Sequence, residues 1–553
     1  TQEPRRNNVQ YRGRQTLWWK NGVLYQIYPR SFMDSNADGV GDLRGIIEKL
    51  DYLNDGTGSS LGIDGIWFSP FFRSPMRDFG YDISDYRDID PIFGTLDDFK
   101  ELLREAHRRN IRVIIDLVLN HTSDQHPWFQ ESRQSREGPR ADWYLWHSGR
   151  NGRRPNNWFS QFELKNAWWY EPLRRQYYLG TFTRHQPEVN WRNPDLRKEM
   201  VDLVRYWLDM GVDGFRLDAV NWFVKDQQFR SNPLSFRDVD LHRHVYDRNR
   251  PETIDICREL RRLTDSYPDR MMVGEVYDHD PDVSVAYYGS GNDALHLVFY
   301  FDLLFQPWSA EKIAKSLEKW YSRLPASAWP TFTLSNHDNL RHAVRYRAGR
   351  WTDARARVAA ALLLTLRGTP FLYYGEELGM SGGKLRKRDL VDPLSRKTWP
   401  FRRYRRDLAR TPMQWDGTPH AGFTVAKPWL PVDPSFTAVN VEAQSGSGDS
   451  LLGFYKKLIQ ARKKHPALAE GEIHFLPECL PRVLAYTREQ ESRKVLVALN
   501  FTQRRLTVKV PGLFPTMKVL LGSRLSAGAV LDPHDSIEMG PYEVLIAGQG
   551  AVE

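Results

Sequence analysis

The chemical signal of this 553-residue sequence lies in acidic residues placed where apolar runs give way to turn residues. Gly211-Val212-Asp213-Gly214-Phe215-Arg216-Leu217-Asp218-Ala219 reads as a short buried strand between turn signals, with charge at its downstream end. Strand side chains alternate, so Arg216 and Asp218 share a face. A guanidinium beside a carboxylate in a partly dry site keeps that carboxylate ionised, the state a nucleophile needs. The same pair would also serve as a structural ion pair closing a strand. Further carboxylates tip the balance toward chemistry. Glu275 follows the run Met271-Met272-Val273-Gly274, and Asp338 follows Thr331 to Leu334 through Ser335-Asn336-His337. His121, just past Ile111 to Leu117, and His337 add two titratable groups at strand ends. Acids and histidines gathered from several strand ends make a set for nucleophilic and general acid/base work.

A second pattern occupies Asp34-Ser35-Asn36-Ala37-Asp38-Gly39-Val40-Gly41-Asp42. Oxygen ligands at alternate positions, with glycines for a sharp turn, suit a hard cation such as calcium. Gly45 stands where an EF-hand would need its bidentate Glu, so a full EF-hand is not expected. The expectation is a single-loop structural site built from Asp34, Asn36, Asp38, the carbonyl of Val40, and Asp42; the plain alternative is an Asx-rich turn.

Strands and helices must hold these residues in place. Strand candidates begin at Val23 to Tyr28 and Ile63 to Ser69, then Ile111 to Leu117 after a helix over Asp97 to Arg109. A helix carrying Val201, Val204, Trp207 and Leu208 on one face feeds strand four, the Gly211 stretch. Met271 to Gly274, Leu297 to Phe301, Thr331 to Leu334 and Pro370 to Tyr374 complete the series. Eight strands with intervening helices is the count of a TIM barrel, an α/β fold whose active site lies at the strand C-terminal ends. A polar, basic arm is read over 1–16, barrel over 17–121, and a loop-rich insertion rich in Arg, Asn, Pro and Trp over 122–187. Barrel resumes over 188–471, with a long insertion near 379–447. Short β-runs such as Leu506, Val508 and Val510 then predict a C-terminal antiparallel β-sandwich over 472–553.

Composition narrows the class. Net charge is 78 − 69 = +9, but the basic residues are scattered, and the densest cluster, Arg402-Arg403-Tyr404-Arg405-Arg406, reads as solvated surface rather than a nucleic-acid face. The longest apolar run, Val358 to Leu366, is too short to span a bilayer and reads as a buried helix. Cys257 and Cys479 make no disulfide framework and no cysteine metal site. Aromatics reach 13%, including 19 Trp, more than a core usually needs and suited to stacking on sugar rings. The chain starts at Thr1 with no visible signal peptide; a cytoplasmic location is expected, with a periplasmic or secreted one open if a leader was removed.

Several motifs, in order, resemble the α-amylase superfamily of glycoside hydrolases (family 13), in its α-glucosidase/oligo-1,6-glucosidase branch. The carriers are Asp116-Leu117-Val118-Leu119-Asn120-His121, Gly214 to Asp218, Gly274-Glu275-Val276, Ser335-Asn336-His337-Asp338, Gly368 to Glu377, and Arg410-Thr411-Pro412-Met413-Gln414-Trp415. By that resemblance Asp218 is the nucleophile, Glu275 the general acid/base and Asp338 the acid that grips sugar hydroxyls. Retaining cleavage uses two carboxyls about 5–5.5 Å apart, one ionised and one protonated. Arg216 is expected to lower the pKa of Asp218, and burial among negative charges to raise that of Glu275. The resemblance also implies that Asp78, Tyr81, His121, Arg216, His337 and Arg410 line the terminal-glucose subsite, with Tyr81 offering a stacking face. The Asp34–Asp42 loop resembles the branch's metal site, for a divalent cation that is calcium by preference or magnesium; no organic cofactor is implied.

The implied reaction is release of glucose from the non-reducing end of short α-glucosides through a covalent glucosyl-aspartate, with transglucosylation as a side path. In the branch, the residue after the nucleophile tracks linkage, and Ala219 leans toward α-1,4 substrates such as maltose. Gln186-Pro187-Glu188-Val189-Asn190 departs from the usual Gln-Pro-Asp-Leu-Asn and is expected to reshape the rim above strand four. The alternatives are an oligo-1,6-glucosidase, a glucosyl-transferring relative such as a sucrose isomerase or trehalose synthase, and, furthest, a non-catalytic binding module. The basic stretch Arg341 to Arg347 does not read as the isomerase arginine loop. The expected partner is a small α-glucoside, with no nucleic acid or membrane, and the chain is expected to act as a monomer or homodimer.

Overall fold

Eight parallel strands surround the core of the molecule. They are β1 (Leu24–Ile27), β2 (Gly65–Phe68), β3 (Arg112–Leu117), β4 (Gly214–Leu217), β5 (Met271–Gly274), β6 (Leu297–Val298), β7 (Thr331–Thr333) and β8 (Thr369–Tyr373). The computed structural model describes residues 17–236, 241–278, 280–401, 404–510, 517–531 and 536–549. The arm over 1–16 and the pair Arg402-Arg403 lie outside the described residues.

The sheet runs in order β6-β5-β4-β3-β2-β1-β8-β7, and a parallel bridge from Phe299 to Thr331 joins its two ends into a ring. Strands covered on both faces need apolar side chains throughout, and β1, β2, β4 and β5 are buried at every position. Strand six is shorter than the expected Leu297 to Phe301. After Val298 the chain keeps two backbone bonds, Phe299 N–H to the Gly274 carbonyl at 3.1 Å and Tyr300 N–H to the Thr331 carbonyl at 3.5 Å, before entering the helix Asp302–Phe305. Phe299 and Phe301 stack at 5.5 Å and join an apolar cluster with Trp67 and Phe371. Side-chain packing there supplements the last ladder bonds.

Local signals set where β3 and β4 begin. The helix Leu96–Arg108 opens on a capping box between Thr95 and Asp98. The helix Pro194–Met210 opens on Asn193, whose side chain accepts two backbone N–H groups, and ends at Gly211 with φ 104°. That left-handed cap is what glycine supplies cheaply, and it turns the chain into β4. The apolar run Val358 to Leu366 lies almost wholly in a buried helix, Thr352–Thr365. Among the described residues, no helix is long and apolar enough to cross a membrane.

Between β3 and β4 a three-stranded antiparallel sheet (Trp146–His147, Gln176–Leu179, Trp168–Glu171) packs around Leu145, Trp158, Ala167, Trp168 and Leu179. The aromatic surplus, expected to serve sugar stacking, goes mainly to packing. Trp158, Trp168, Trp191, Trp207 and Trp320 are among the largest fully buried side chains. A barrel with a long insertion has more interior to fill than aliphatic residues alone supply.

From Glu472 onward a six-stranded antiparallel sheet and a two-stranded ladder (Leu506–Lys509 with Ser536–Met539) share one apolar core that includes Val483, Leu496, Val508, Met539 and Leu545. Both cysteines are free and buried.

Candidate active site

Arg216 organises the mouth of the barrel. The parallel register of β4 on β3 pairs it with Asp116, so both side chains point the same way. The guanidinium is 1% exposed and holds three carboxyls. Nη1 donates to Asp116 at 2.8 and 2.9 Å and to Asp218 Oδ1 at 2.6 Å. Nη2 lies 2.7 Å from Glu275 Oε2. One planar cation therefore brings Asp218 and Glu275 side by side from adjacent strands.

Arg216 does pull the Asp218 pKa down as expected, but the net shift is upward. Burial pushes the Asp218 carboxyl well up, and Glu275 and Asp116 add to the rise against the opposing pull of Arg216. Asp116 is raised to about 6, again chiefly by burial. One cation does not offset the desolvation of two buried acids with a third carboxyl beside them.

Ala219 follows in a left-handed conformation, φ 46° and ψ 38°, and its N–H donates to Glu275 Oε2 at 3.1 Å.

Asp338 enters from beyond β7. Its Oδ1 accepts from Arg410 Nη2 at 2.9 Å and Arg406 Nη1 at 3.1 Å, and Oδ2 stands 3.4 Å from His337 Nε2. Burial works to raise this carboxyl, but His337, Arg406, Arg410 and Arg216 together hold it below the ordinary range. Arg410 also donates to the His337 carbonyl at 2.9 Å. Asp78 accepts from Arg406 at 2.8 Å and from Gln186 at 3.1 Å, with its carboxyl raised by burial despite the arginines.

Tyr81 is 6% exposed and gives one face to His337, centroid to centroid 5.2 Å at 11°. The stacking face expected for sugar is thus partly taken by a protein ring. His121 and His337 are buried and each pushed down to about 3 by desolvation, so both imidazoles are neutral at ordinary pH. His121 Nε2 lies 3.1 Å from the Tyr81 carbonyl and 3.1 Å from Gln186 Nε2.

All ten expected catalytic and subsite residues therefore fall in one connected cluster at the strand C-terminal ends. Sequence reasoning overlooked several of its members. Asp116 and Gln26 are polar residues inside apolar strand runs, a readable signal. Arg406 belonged to the basic cluster taken as solvated surface. It is 4% exposed and contacts Asp78, Asp338 and Asp392, the last at 2.6 Å. Asp392 sits in the aperiodic insertion, where nothing in the sequence pointed to it.

The departure at Glu188 has a partner: its Oε2 lies 2.7 Å from Lys225 Nζ, both side chains buried. This pair ties the insertion to the loop after β4. Arg341 and Arg345, in the basic stretch after β7, donate to the carbonyls of Tyr374 and Leu334.

The Asp34–Asp42 loop closes on itself. Asp34 accepts from the N–H groups of Asn36, Ala37 and Gly39, Asn36 from that of Asp38, and Asp38 from that of Val40. Asp42 caps the following helix through Gly45 N–H at 2.7 Å. Gly45 is required there because a Cβ would stand 2.2 Å from the Met33 carbonyl oxygen. The all-oxygen donor set fits a hard divalent cation in kind. Among the described residues, however, no three acidic, His or Cys side chains gather closely enough to hold one.

A family model of the alpha amylase catalytic domain matches residues 26–471. The chain is 42% identical over 510 residues to a probable alpha-glucosidase of Rhizobium meliloti (strain 1021), covering 89% of this chain and 91% of that one. It is 38% identical over 540 residues to an oligo-1,6-glucosidase of Parageobacillus thermoglucosidasius, covering 92% and 95%. Among solved structures, an alpha-glucosyl transfer enzyme matches with a TM-score of 0.90 at 41% identity, over 97% of this chain and 100% of that one.

Proposed function

The chain belongs to the α-amylase family of glycoside hydrolases, and we propose that it is a retaining α-glucosidase acting on the non-reducing end of short α-glucosides. The observation that carries this reading is the single guanidinium of Arg216 in contact with both Asp218 and Glu275. It supports the close carboxyl spacing of retaining enzymes rather than the wider spacing that admits a water for inversion.

In this reading an Asp218 oxygen attacks the anomeric carbon while Glu275 gives its proton to the departing glycosidic oxygen. The glucosyl-aspartate ester then breaks as Glu275 takes a proton from water and the hydroxide adds to the same carbon. Asp116 and Asp218, both raised chiefly by burial, share the Arg216 cation with Glu275, so the three acids form one electrostatic site. Asp338, held ionised by two arginines, would accept from sugar hydroxyls; Asp78, His121, His337 and Arg410 surround the same space. Tight bonds to these hydroxyls assist the reaction only where they strengthen in the transition state.

Ala219 supports α-1,4 preference, since a larger side chain beside the nucleophile would crowd the leaving group. A second outcome, transfer of glucose to an acceptor alcohol, is supported by the 41% identity to a solved alpha-glucosyl transfer enzyme. The two differ only in what attacks the intermediate. The oxygen donors of the Asp34–Asp42 loop would suit a divalent cation with a structural role, and no catalytic step depends on it.

Proton NMR of the products from maltose, isomaltose, sucrose and trehalose tests the reading, because it reports anomeric configuration, linkage preference and transfer products together. Release of β-glucose as the first product would overturn it. So would an Asp218→Asn variant that stays folded and retains more than a few per cent of wild-type maltose hydrolysis; the expected loss is on the order of a thousandfold or more.

A further inference from the structure

Gln26 lies on β1 and is 1% exposed. Its amide nitrogen stands 3.1 Å from Ser69 Oγ and 2.8 Å from His337 Nδ1. An amide nitrogen only donates, so Nδ1 must accept, and a neutral ring then carries its proton on Nε2. The next contacts run with the same polarity. His337 Nε2 is 2.7 Å from the Tyr81 hydroxyl, and that hydroxyl is 3.0 Å from Asp116 Oδ2. If Tyr81 gives its one proton to Asp116, its oxygen is free to accept from Nε2–H, and the contacts from Gln26 to Asp116 are satisfied in series, with the Gln26 amide oxygen left unpartnered.

Heavy-atom positions alone do not orient an amide; the chain of partners does. With the Gln26 amide reversed, Nδ1 would be the donor and Nε2 would need the Tyr81 proton. Tyr81 would then face the Asp116 carboxylate with lone pairs only, an unsatisfied buried contact beside Arg216. The ring itself is held in plane by Tyr28 and Tyr81, at 10° and 11° to it, and by the edge contact of Trp67 at 6.2 Å.

We propose that Gln26 is a positioning residue that locks His337 in the Nε2–H tautomer, so that Nε2–H donates to Tyr81 in the free protein and is the donor beside Asp338 that an entering sugar hydroxyl meets. Nε2 already lies 3.4 Å from Asp338 Oδ2. Burial keeps the ring neutral, so without a fixed partner on Nδ1 the two tautomers would compete for the site. The tautomer lock stands on the contacts alone; its use in sugar binding rests on the α-glucosidase reading.

The test is nitrogen NMR of the full-length protein labelled with [15N]histidine, with the His337 signals assigned by their loss in His337→Asn. The expected wild-type result is a protonated, pyrrole-like Nε2 and an unprotonated Nδ1. Gln26→Glu, a carboxylate that only accepts, should move the proton to Nδ1 and lower kcat/KM for maltose roughly ten- to a hundredfold, by analogy with the loss of outer-shell partners of metal-bound histidines. Gln26→Met, similar in size and without hydrogen bonds, should give mixed tautomers and a smaller loss. A wild-type ring protonated on Nδ1 overturns the proposal. So does a folded Gln26→Glu with unchanged tautomer and kcat/KM. Should maltose prove not to be a substrate, the wild-type spectrum still decides the tautomer, which separates failure of this inference from failure of the glucosidase reading.

Discussion

The backbone N–H of Ala219 donates to Oε2 of Glu275 at 3.1 Å. The residue next to the proposed nucleophile thus helps hold the proposed acid/base. It does so from a left-handed conformation, φ 46°, which side chains with a Cβ adopt only at a cost.

Ala219 is accordingly a backbone position as much as a proposed determinant of linkage. Ala219→Gly should relieve the strain and stabilise the fold by about 1 kcal/mol, with linkage preference little changed. Ala219→Val places a branched side chain in the same conformation and should destabilise by about 1–3 kcal/mol. It should also raise the isomaltose-to-maltose ratio of kcat/KM by roughly tenfold. Urea denaturation and paired kinetics on the two disaccharides measure both effects. If Ala219→Val left the ratio unmoved, the side chain would have no part in linkage choice.

Arg406 is the link among Asp78, Asp338 and Asp392. Arg406→Ala strands buried negative charge and should cost about 3–5 kcal/mol of stability, with a steep fall in kcat/KM. Arg406→Lys should rescue little, because a single ammonium cannot replace a fork that reaches three carboxylates. Denaturation midpoints and maltose kinetics on both variants decide it; near-wild-type behaviour of the lysine variant would rule out the bridging role.

Glu376 is fully buried behind β8, with its carboxyl raised to about 8 by burial. Ser335 Oγ and the Tyr373 N–H donate to it. Its folded pKa lies above the unfolded value near 4.5, so the native state holds the extra proton between the two. Its contribution to stability is complete below about pH 4.5 and is lost as pH rises to about 8. The slope approaches roughly 1.4 kcal/mol per pH unit inside that window. Glu376→Gln places an N–H where the protonated carboxyl has its O–H, toward Ser335 Oγ as acceptor, and an oxygen toward the Tyr373 N–H, without titrating. Melting curves from pH 6 to pH 9 should therefore fall less for the variant than for the wild type, and parallel curves would show that Glu376 does not carry this proton.

The Asp34–Asp42 loop crowds three carboxylates into nine residues. If a divalent cation balances them, EDTA should lower Tm by roughly a few degrees, and calcium or magnesium should restore it. Maltose hydrolysis at moderate temperature should persist. Loss of activity in the still-folded, chelated protein would show that the ion does more than hold the loop.

The barrel, the three acids and their order along the chain were legible because they are local. Alternation puts Arg216 and Asp218 on one face, turn residues mark each strand end, and the motifs are short. Register was not legible. The pairing of β3 with β4 decides that Asp116 shares Arg216, and this is why burial and crowding outweigh the attraction that Arg216 alone suggested for Asp218. The Arg406 contacts join residues 328, 68 and 14 positions apart, with no periodicity in the insertion to announce them, so a basic cluster on paper proved to contain a buried bridge. Residue types and spacing determined which chemistry this chain can perform. Only the tertiary structure decided which charges share one desolvated space, because electrostatic coupling depends on distance and burial, and neither is written along a linear sequence.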